Sequence, residues 1–357
     1  MHGPSHPFAL VQIEPTSRCN LACRTCPRGS HPLHWQERDL DASLLTSLLR
    51  SLPTGTVLHL QGWGEPLLHP DIFHFISQIQ QAGHRVSLTS NGTVTDKKIT
   101  EKLVDNGPDS LTFSMAGFSS RTQDPLRGPG TREQLEHTVD WLNKRKKQSR
   151  GSGPVLAISY LFTPASVTEL PATVTWCAQQ NVSLLAGIHL THPLDDVQKS
   201  LQCFPLRDRD GQRSIRKAEL KAIFHRLHLQ FPAMKPEKVP VCAKNPLDCF
   251  FVAADGSVAP CVFLASPYAG SASPLARQVF GNLHRESIGT IWNRSGYRKF
   301  RHPFAQRTGF YNRIMARVGF DLDALDRLEK ANELVGDFFN AHPPPAPCRG
   351  CLKMQGA

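Results

Sequence analysis

Ile13-Glu14-Pro15-Thr16-Ser17-Arg18-Cys19-Asn20-Leu21-Ala22-Cys23-Arg24-Thr25-Cys26-Pro27-Arg28 is the stretch on which the reading of this chain turns. Its three cysteines are spaced Cys19-x3-Cys23-x2-Cys26 and follow directly on a strand-like run, residues 8–14. Thiolates this close together chelate one inorganic centre, and thiolate ligands select zinc or an iron–sulfur cluster. A structural zinc wants a fourth ligand, which His31 or His34 could supply. A [4Fe–4S] cluster on three cysteines instead leaves one iron open to a substrate. Spacing alone leaves both readings standing.

Outward from this loop, β-like runs alternate with amphipathic helical stretches. Strands are expected at residues 8–14, 56–60, 85–89, 110–115, 155–162 and 182–189. Helices are expected at 40–52, 70–82, 96–106, 131–147 and 167–180, with Asn106-Gly107-Pro108 and Gly151-Ser152-Gly153-Pro154 as breaks. Six such steps imply parallel strands with right-handed crossovers, and chemistry at the C-terminal strand ends. An open sheet and a partial barrel remain equally compatible with the pattern. The rhythm stops after His189, and residues 191–240 read as a linker with one helix at 215–229. From residue 241 follow a Cys-rich β segment with a strand at 250–253, an insertion at about 304–339 with a helix at 321–339, and the extended run His342-Pro343-Pro344-Pro345-Ala346-Pro347 before Cys348 and Cys351.

Short motifs sit at the expected strand ends. Gly62-Trp63-Gly64-Glu65-Pro66-Leu67-Leu68-His69-Pro70-Asp71 follows the second strand, Thr89-Ser90-Asn91-Gly92 the third, and Ser114-Met115-Ala116-Gly117 the fourth, with Arg127-Gly128 beyond. Each alone is weak, since Asn91-Gly92 is also a plain turn and Ser114 also a structural hydroxyl. Glycines permit close backbone approach, and a carboxylate such as Glu65 can hold an ammonium. Taken in order, with the cysteine run, they closely resemble the radical SAM superfamily. That resemblance implies an α/β fold, a partial (β/α)6 TIM-like barrel over residues 1–190. It implies a [4Fe–4S] cluster on Cys19, Cys23 and Cys26, and S-adenosylmethionine (SAM) bound by Gly64, Glu65, Asn91, Ser114 and Arg127. Ser114 would face the ribose and Arg127 the SAM carboxylate. Reductive cleavage of SAM would give methionine and a 5′-deoxyadenosyl radical that abstracts a substrate hydrogen, with a reducing electron donor as partner. Two positions depart from the family pattern: Thr25 stands where an aromatic residue is frequent, and Ala116 replaces an acidic one.

The C-terminal part, residues 241–357, resembles the SPASM-type extension that holds auxiliary iron–sulfur clusters. The resemblance rests on Cys242-x13-Gly256-x4-Cys261, on Gly281-Asn282-Leu283 with Ser287-Ile288-Gly289-Thr290-Ile291-Trp292-Asn293, and on Cys348-x2-Cys351. It implies one auxiliary [4Fe–4S] cluster on Cys242, Cys261, Cys348 and Cys351, with Cys249 a rival to Cys242. The family's arginine after this link corresponds to Arg298 or Arg301. A four-cysteine zinc fits the same spacing. Full ligation suits electron transfer, which would bias the reaction toward oxidation or cross-linking.

Bulk properties exclude little. With 357 residues, 40% hydrophobic and 20% charged, the chain suits a soluble protein without membrane spans, and its start shows no export leader, so a cytoplasmic location is expected. Cys177 and Cys203, remote from other cysteines, read as buried structural thiols. The net charge of +11 includes Lys144-Arg145-Lys146-Lys147, expected to close a helix, and seven Lys or Arg without an acid over 294–317. That basic stretch and the insertion are candidates for substrate or partner recognition. Nucleic acid is not expected, because no binding motif accompanies the charge. Two substrate classes are compatible with the resemblance: a small molecule such as a sugar alcohol, or a peptide presented by a partner, since no peptide-recognition segment precedes the first strand. A non-catalytic protein with two zinc sites is the alternative from another class.

Overall fold

The computed structural model describes residues 8–30, 35–149, 153–266, 277–319 and 324–357; His31 and His34 lie outside them. The strands are β1 (Leu10–Ile13), β2 (Val57–Leu60), β3 (Arg85–Ser90), β4 (Ser110–Met115), β5 (Val155–Phe162), β6 (Leu184–His189), β7 (His228–Gln230), β8 (Cys249–Val252), β9 (Ser257–Ala259) and β10 (Gly281–Asn282). They form one sheet in the order β10-β9-β8-β1-β2-β3-β4-β5-β6-β7. The run from β8 through β1 to β7 is parallel, and β9 and β10 pair antiparallel beyond it. Helices fill the crossovers between β1 and β6, as the alternating pattern required. The described sheet does not close on itself, as the expected partial barrel requires.

Two-residue alternation gives the sheet two different faces. Val11, Ile13, Leu58, Leu60, Val86, Leu88, Leu111, Phe113, Leu156, Ile158 and Tyr160 are at most 1% exposed and belong to the main apolar core. The intervening positions, Gln12, His59, Ser87 and Ser110, stand side by side across β1 to β4. Thr89, Thr112, Ser114 and Ser159 continue that polar face. A parallel sheet packed on both sides would be apolar on both. A polar face therefore marks a lined interior, and the cysteine loop opens at its C-terminal edge.

Three expectations needed correction. The linker helix runs Arg209–His225 rather than 215–229. Asp208 caps it by accepting from the Gly211 amide at 2.7 Å, and Arg226 ends it at φ 56°, which turns the chain into β7. β7 then adds a seventh parallel strand beside β6. The proline run is extended only to Pro345, because Ala346–Cys348 forms a short 3-10 turn. Cys203 is only half-buried, packed against the edge of the core near His189 Nδ1 (4.0 Å), whereas Cys177 is fully buried.

The basic stretch is partly structural. Arg307, 5% exposed, donates to the carbonyls of Val239, Pro240, Phe339 and His342 and stacks on Phe339. It thereby staples the helix Ser295–Met315 to Ala324–Ala341 and to the linker. Lys144 to Lys147 lie in the last turns of the helix Thr131–Gln148, as expected. No helix among the described residues is long and apolar enough to cross a membrane.

Candidate active site

The loop after β1 is held by its own arginines. Arg28 donates to the Ser17 and Leu21 carbonyls and pairs with Glu37, while Arg18 pairs with Asp39 and reaches the Leu68 carbonyl. Cys26 N–H donates to the Cys23 carbonyl and Gly29 N–H to that of Cys26, so Cys23 to Gly29 form a tight turn. A Cβ at Gly29 would strike the Cys23 carbonyl, which explains the glycine there. Cys19, Cys23 and Cys26 are each half-buried and close enough to act on one another electrostatically. Burial raises Cys19 and pushes Cys26 up to about 11. Both are thus neutral thiols until a metal takes them as thiolates and releases their protons.

One cavity joins these cysteines to the strand-end motifs. Cys19, Cys23, Cys26, Gly64, Glu65, Asn91, Ser114 and Arg127 all line it, and it encloses about 650 Å³ of empty space, part of it open to solvent. Gly64 fits so closely that a Cβ would overlap the Thr16 carbonyl and lie 2.6 Å from that of Arg18. Arg127 ends the helix Ser120–Arg127, and its Nε is buried with no partner among the described residues. Such an orphaned guanidinium nitrogen calls for an acceptor. Asn91 donates to Asn20 Oδ1 at 2.8 Å and accepts from Thr93, which ties the β3 turn to the cysteine loop.

Glu65 sits differently from the simple expectation. Its carboxylate accepts from Leu67 N at 3.1 Å and Asn91 N at 2.7 Å, joining the ends of β2 and β3. Burial is the chief reason its pKa is raised. The carboxylate is thus first a brace for the loop, in a residue that also lines the cavity. Glu14 braces the next loop in the same way, accepting from Trp63 N (2.7 Å) and Ala254 N (3.1 Å). Burial pushes Glu14 up to about 7. Sequence reasoning did not single out Glu14, although it lies within the stretch that was quoted. Ala116 N–H donates to Gln123 Oε1 at 2.6 Å, so a buried amide organises the loop at the position where the acidic residue is absent.

Cys242, Cys261, Cys348 and Cys351 converge at the other site. Cys261 feels Cys242 and Cys351, and Cys348 feels all three others. Burial raises all four, Cys261 up to about 12. Cys249 is instead a β8 residue beside Leu10, with Asp248 as the nearest influence on its thiol. Among the described residues no three His, Cys, Asp or Glu side chains stand close enough together to hold a single metal ion. Of the two candidate arginines, Arg301 is the one packed in, over Trp292 (3.7 Å) and Tyr297 (4.5 Å) and donating to the Trp292 carbonyl.

Comparison with known proteins agrees with this geometry. Residues 13–161 match the radical SAM superfamily, and residues 242–313 match the SPASM iron–sulfur cluster-binding domain. A tungsten-containing aldehyde ferredoxin oxidoreductase cofactor-modifying protein of Pyrococcus furiosus is 24% identical, over 82% of each chain. An AdoMet-dependent heme synthase of Methanosarcina barkeri is 32% identical over 38% of this chain and 39% of its own. SuiB of Streptococcus suis bound to S-adenosylmethionine superposes with a TM-score of 0.62 at 13% identity, covering 83% of this chain and 68% of that one. anSMEcpe with bound AdoMet also gives 0.62, at 18% identity over 82% and 79%. These two likenesses speak for the fold. The protein is a radical SAM superfamily enzyme with a C-terminal SPASM domain, whose cofactors are a [4Fe–4S] cluster with SAM and auxiliary iron–sulfur.

Proposed function

We propose that Cys19, Cys23 and Cys26 hold the SAM-cleaving cluster and that Gly64, Glu65, Asn91, Ser114 and Arg127 bind SAM. The observation that carries this is the single cavity lined by all eight residues, with the Arg127 Nε left without an acceptor. When bound, the cluster supplies the electron that splits SAM to a hydrogen-abstracting 5′-deoxyadenosyl radical. Arg127 would meet the SAM carboxylate, the Gly62–Gly64 backbone would admit its amino end, and Trp63 would shield the opening from water. Cys242, Cys261, Cys348 and Cys351 would hold one auxiliary [4Fe–4S] cluster, fully ligated and so suited to take up an electron.

The reaction would be an oxidative or cross-linking modification of a small molecule, with the reducing donor a separate protein and the cytoplasm the setting. A relative spanning 82% of each chain carries the name of a cofactor-modifying protein, which supports a small substrate. The second reading, a peptide substrate presented by a partner, draws on an anSMEcpe structure with bound peptide, at 17% identity. Anaerobic reconstitution with iron and sulfide counts, followed by 5′-deoxyadenosine formation from SAM under dithionite, tests the core proposal. No product above a Cys19→Ala control would overturn it.

A further inference from the structure

The helix Arg209–His225 has two opposite faces, and the fold uses one of them. Gly211, Ile215, Ala218 and Ala222 recur at helical spacing, are buried, and seat the helix on its neighbour Leu170–Gln179. The face turned away from them carries Leu220, Ile223 and Phe224, which are 69%, 76% and 82% exposed. A solvent-facing helical stripe is ordinarily polar. Three large apolar side chains at i, i+3 and i+4 there bury nothing in this fold, and together they make a patch rather than scattered single residues.

The same outward face is strongly basic. Arg209, Arg213, Arg216 and Lys217 continue it toward the helix N-terminus, and all four are exposed. Arg213 pairs with Asp210 at 3.1 Å. Arg209, Arg216 and Lys217 have no carboxylate within ion-pair distance among the described residues. Asp210 and Glu219 are the only acids of this helix. The exposed Leu325 and Leu328 provide a contrast, because Asp326, Glu329 and Glu333 stand on their own helix beside them. The apolar patch of Arg209–His225 is thus set among cations and calls for a negatively charged partner.

We propose that this face docks the protein on an anionic lipid bilayer. Leu220, Ile223 and Phe224 sink below the headgroups, and Arg209, Arg213, Arg216 and Lys217 rest on the lipid phosphates. Side chains standing this far out of a surface suit a fluid interface, which takes in protruding groups without a matching shape. The cytoplasmic leaflet supplies the negative charge. The site also lies away from the chemistry. His228, one turn after Phe224, pairs with Leu184 at the start of β6, so Phe224 stands at the N-terminal edge of the sheet, whereas the cysteine loop opens at the C-terminal edge. Docking therefore leaves the proposed SAM cavity uncovered.

Co-sedimentation of the reconstituted protein with vesicles tests this independently of the radical chemistry. Phosphatidylcholine vesicles containing about one third phosphatidylglycerol should bind it at least about tenfold better than pure phosphatidylcholine. Raising sodium chloride from about 0.1 M to about 0.5 M should weaken that binding. Ile223→Ser combined with Phe224→Ser should weaken it about tenfold or more. Arg209→Gln, Arg216→Gln and Lys217→Gln together should do the same. Leu325→Ser, at an exposed leucine among acids, should bind as the parent. Iron content and 5′-deoxyadenosine formation of each variant should match the parent; Phe224→Ser alone repeats the measurement should the apolar pair lose iron. No binding to either vesicle, equal binding to both, or parental binding by both the apolar and the basic variants overturns the proposal. So does a protein that ignores vesicles but binds polyglutamate, which assigns the face to an acidic protein instead.

Discussion

The indole N–H of Trp63 donates to the carbonyl of Val262 at 3.3 Å. One partner belongs to the loop after β2 that lines the cavity proposed for SAM, and the other immediately follows Cys261. The two proposed cluster sites are thus joined by one hydrogen bond and by the aromatic contacts of Trp63 with Trp35 and Phe263. Trp63→Phe keeps a ring and loses the donor. We expect it to cost about 1 kcal/mol in thermal stability with iron content intact, and Trp63→Ala to slow SAM cleavage as well. Equal melting of Trp63→Phe and parent would show that the bond contributes nothing.

Gly64→Ala should abolish 5′-deoxyadenosine formation. A methyl group there overlaps the Thr16 carbonyl and crowds that of Arg18, and backbone on both sides cannot give way cheaply. Because Gly64 contributes no cluster ligand, the iron bound by the three cysteines should stay near the parental count.

Arg127→Gln should weaken SAM binding on the order of tenfold to a hundredfold, the size of a lost charge-assisted contact. Arg127→Lys should recover only part, since an ammonium lacks the planar fork. Binding of SAM to the anaerobic holoprotein, measured by dialysis, reads both variants.

Cys242→Ala, Cys261→Ala, Cys348→Ala and Cys351→Ala should each lose about four irons, the content of one cluster. Cys249→Ala should keep them, because its thiol donates to Asp248 and no other cysteine is among the groups that shift it. The reverse result would make Cys249 the ligand.

Glu14 gives a pH dependence of definite sign. Its carboxyl is raised from 4.5 to about 7, chiefly by burial, so the native state holds a proton that the unfolded chain releases. Stability from this group therefore falls as pH rises from 4.5 to 7 and stays lowered above, by on the order of 3 kcal/mol. Glu14→Gln does not titrate. Its thermal midpoint should gain on the parent between pH 5 and pH 8, and a constant difference would refute the buried-proton account.

Much of this was legible in local pattern. Cys19, Cys23 and Cys26 on the loop after β1, and the motifs at the ends of β2, β3 and β4, follow from short-range alternation and turn chemistry. Period two fixed which side chains share a face before any strand was paired, which is why Ser114 and Thr89 fell together. What local pattern could not supply was the neighbour at each free edge of the parallel sheet. An exposed edge offers backbone donors and acceptors to any strand, so only the fold decided that β8 lies beside β1 and β7 beside β6. The same holds for the reach of Lys244 to Gln12, 232 residues away. Chain order carries no record of such contacts. They arise when packing of the apolar face brings distant segments together and leaves the polar face to the chemistry.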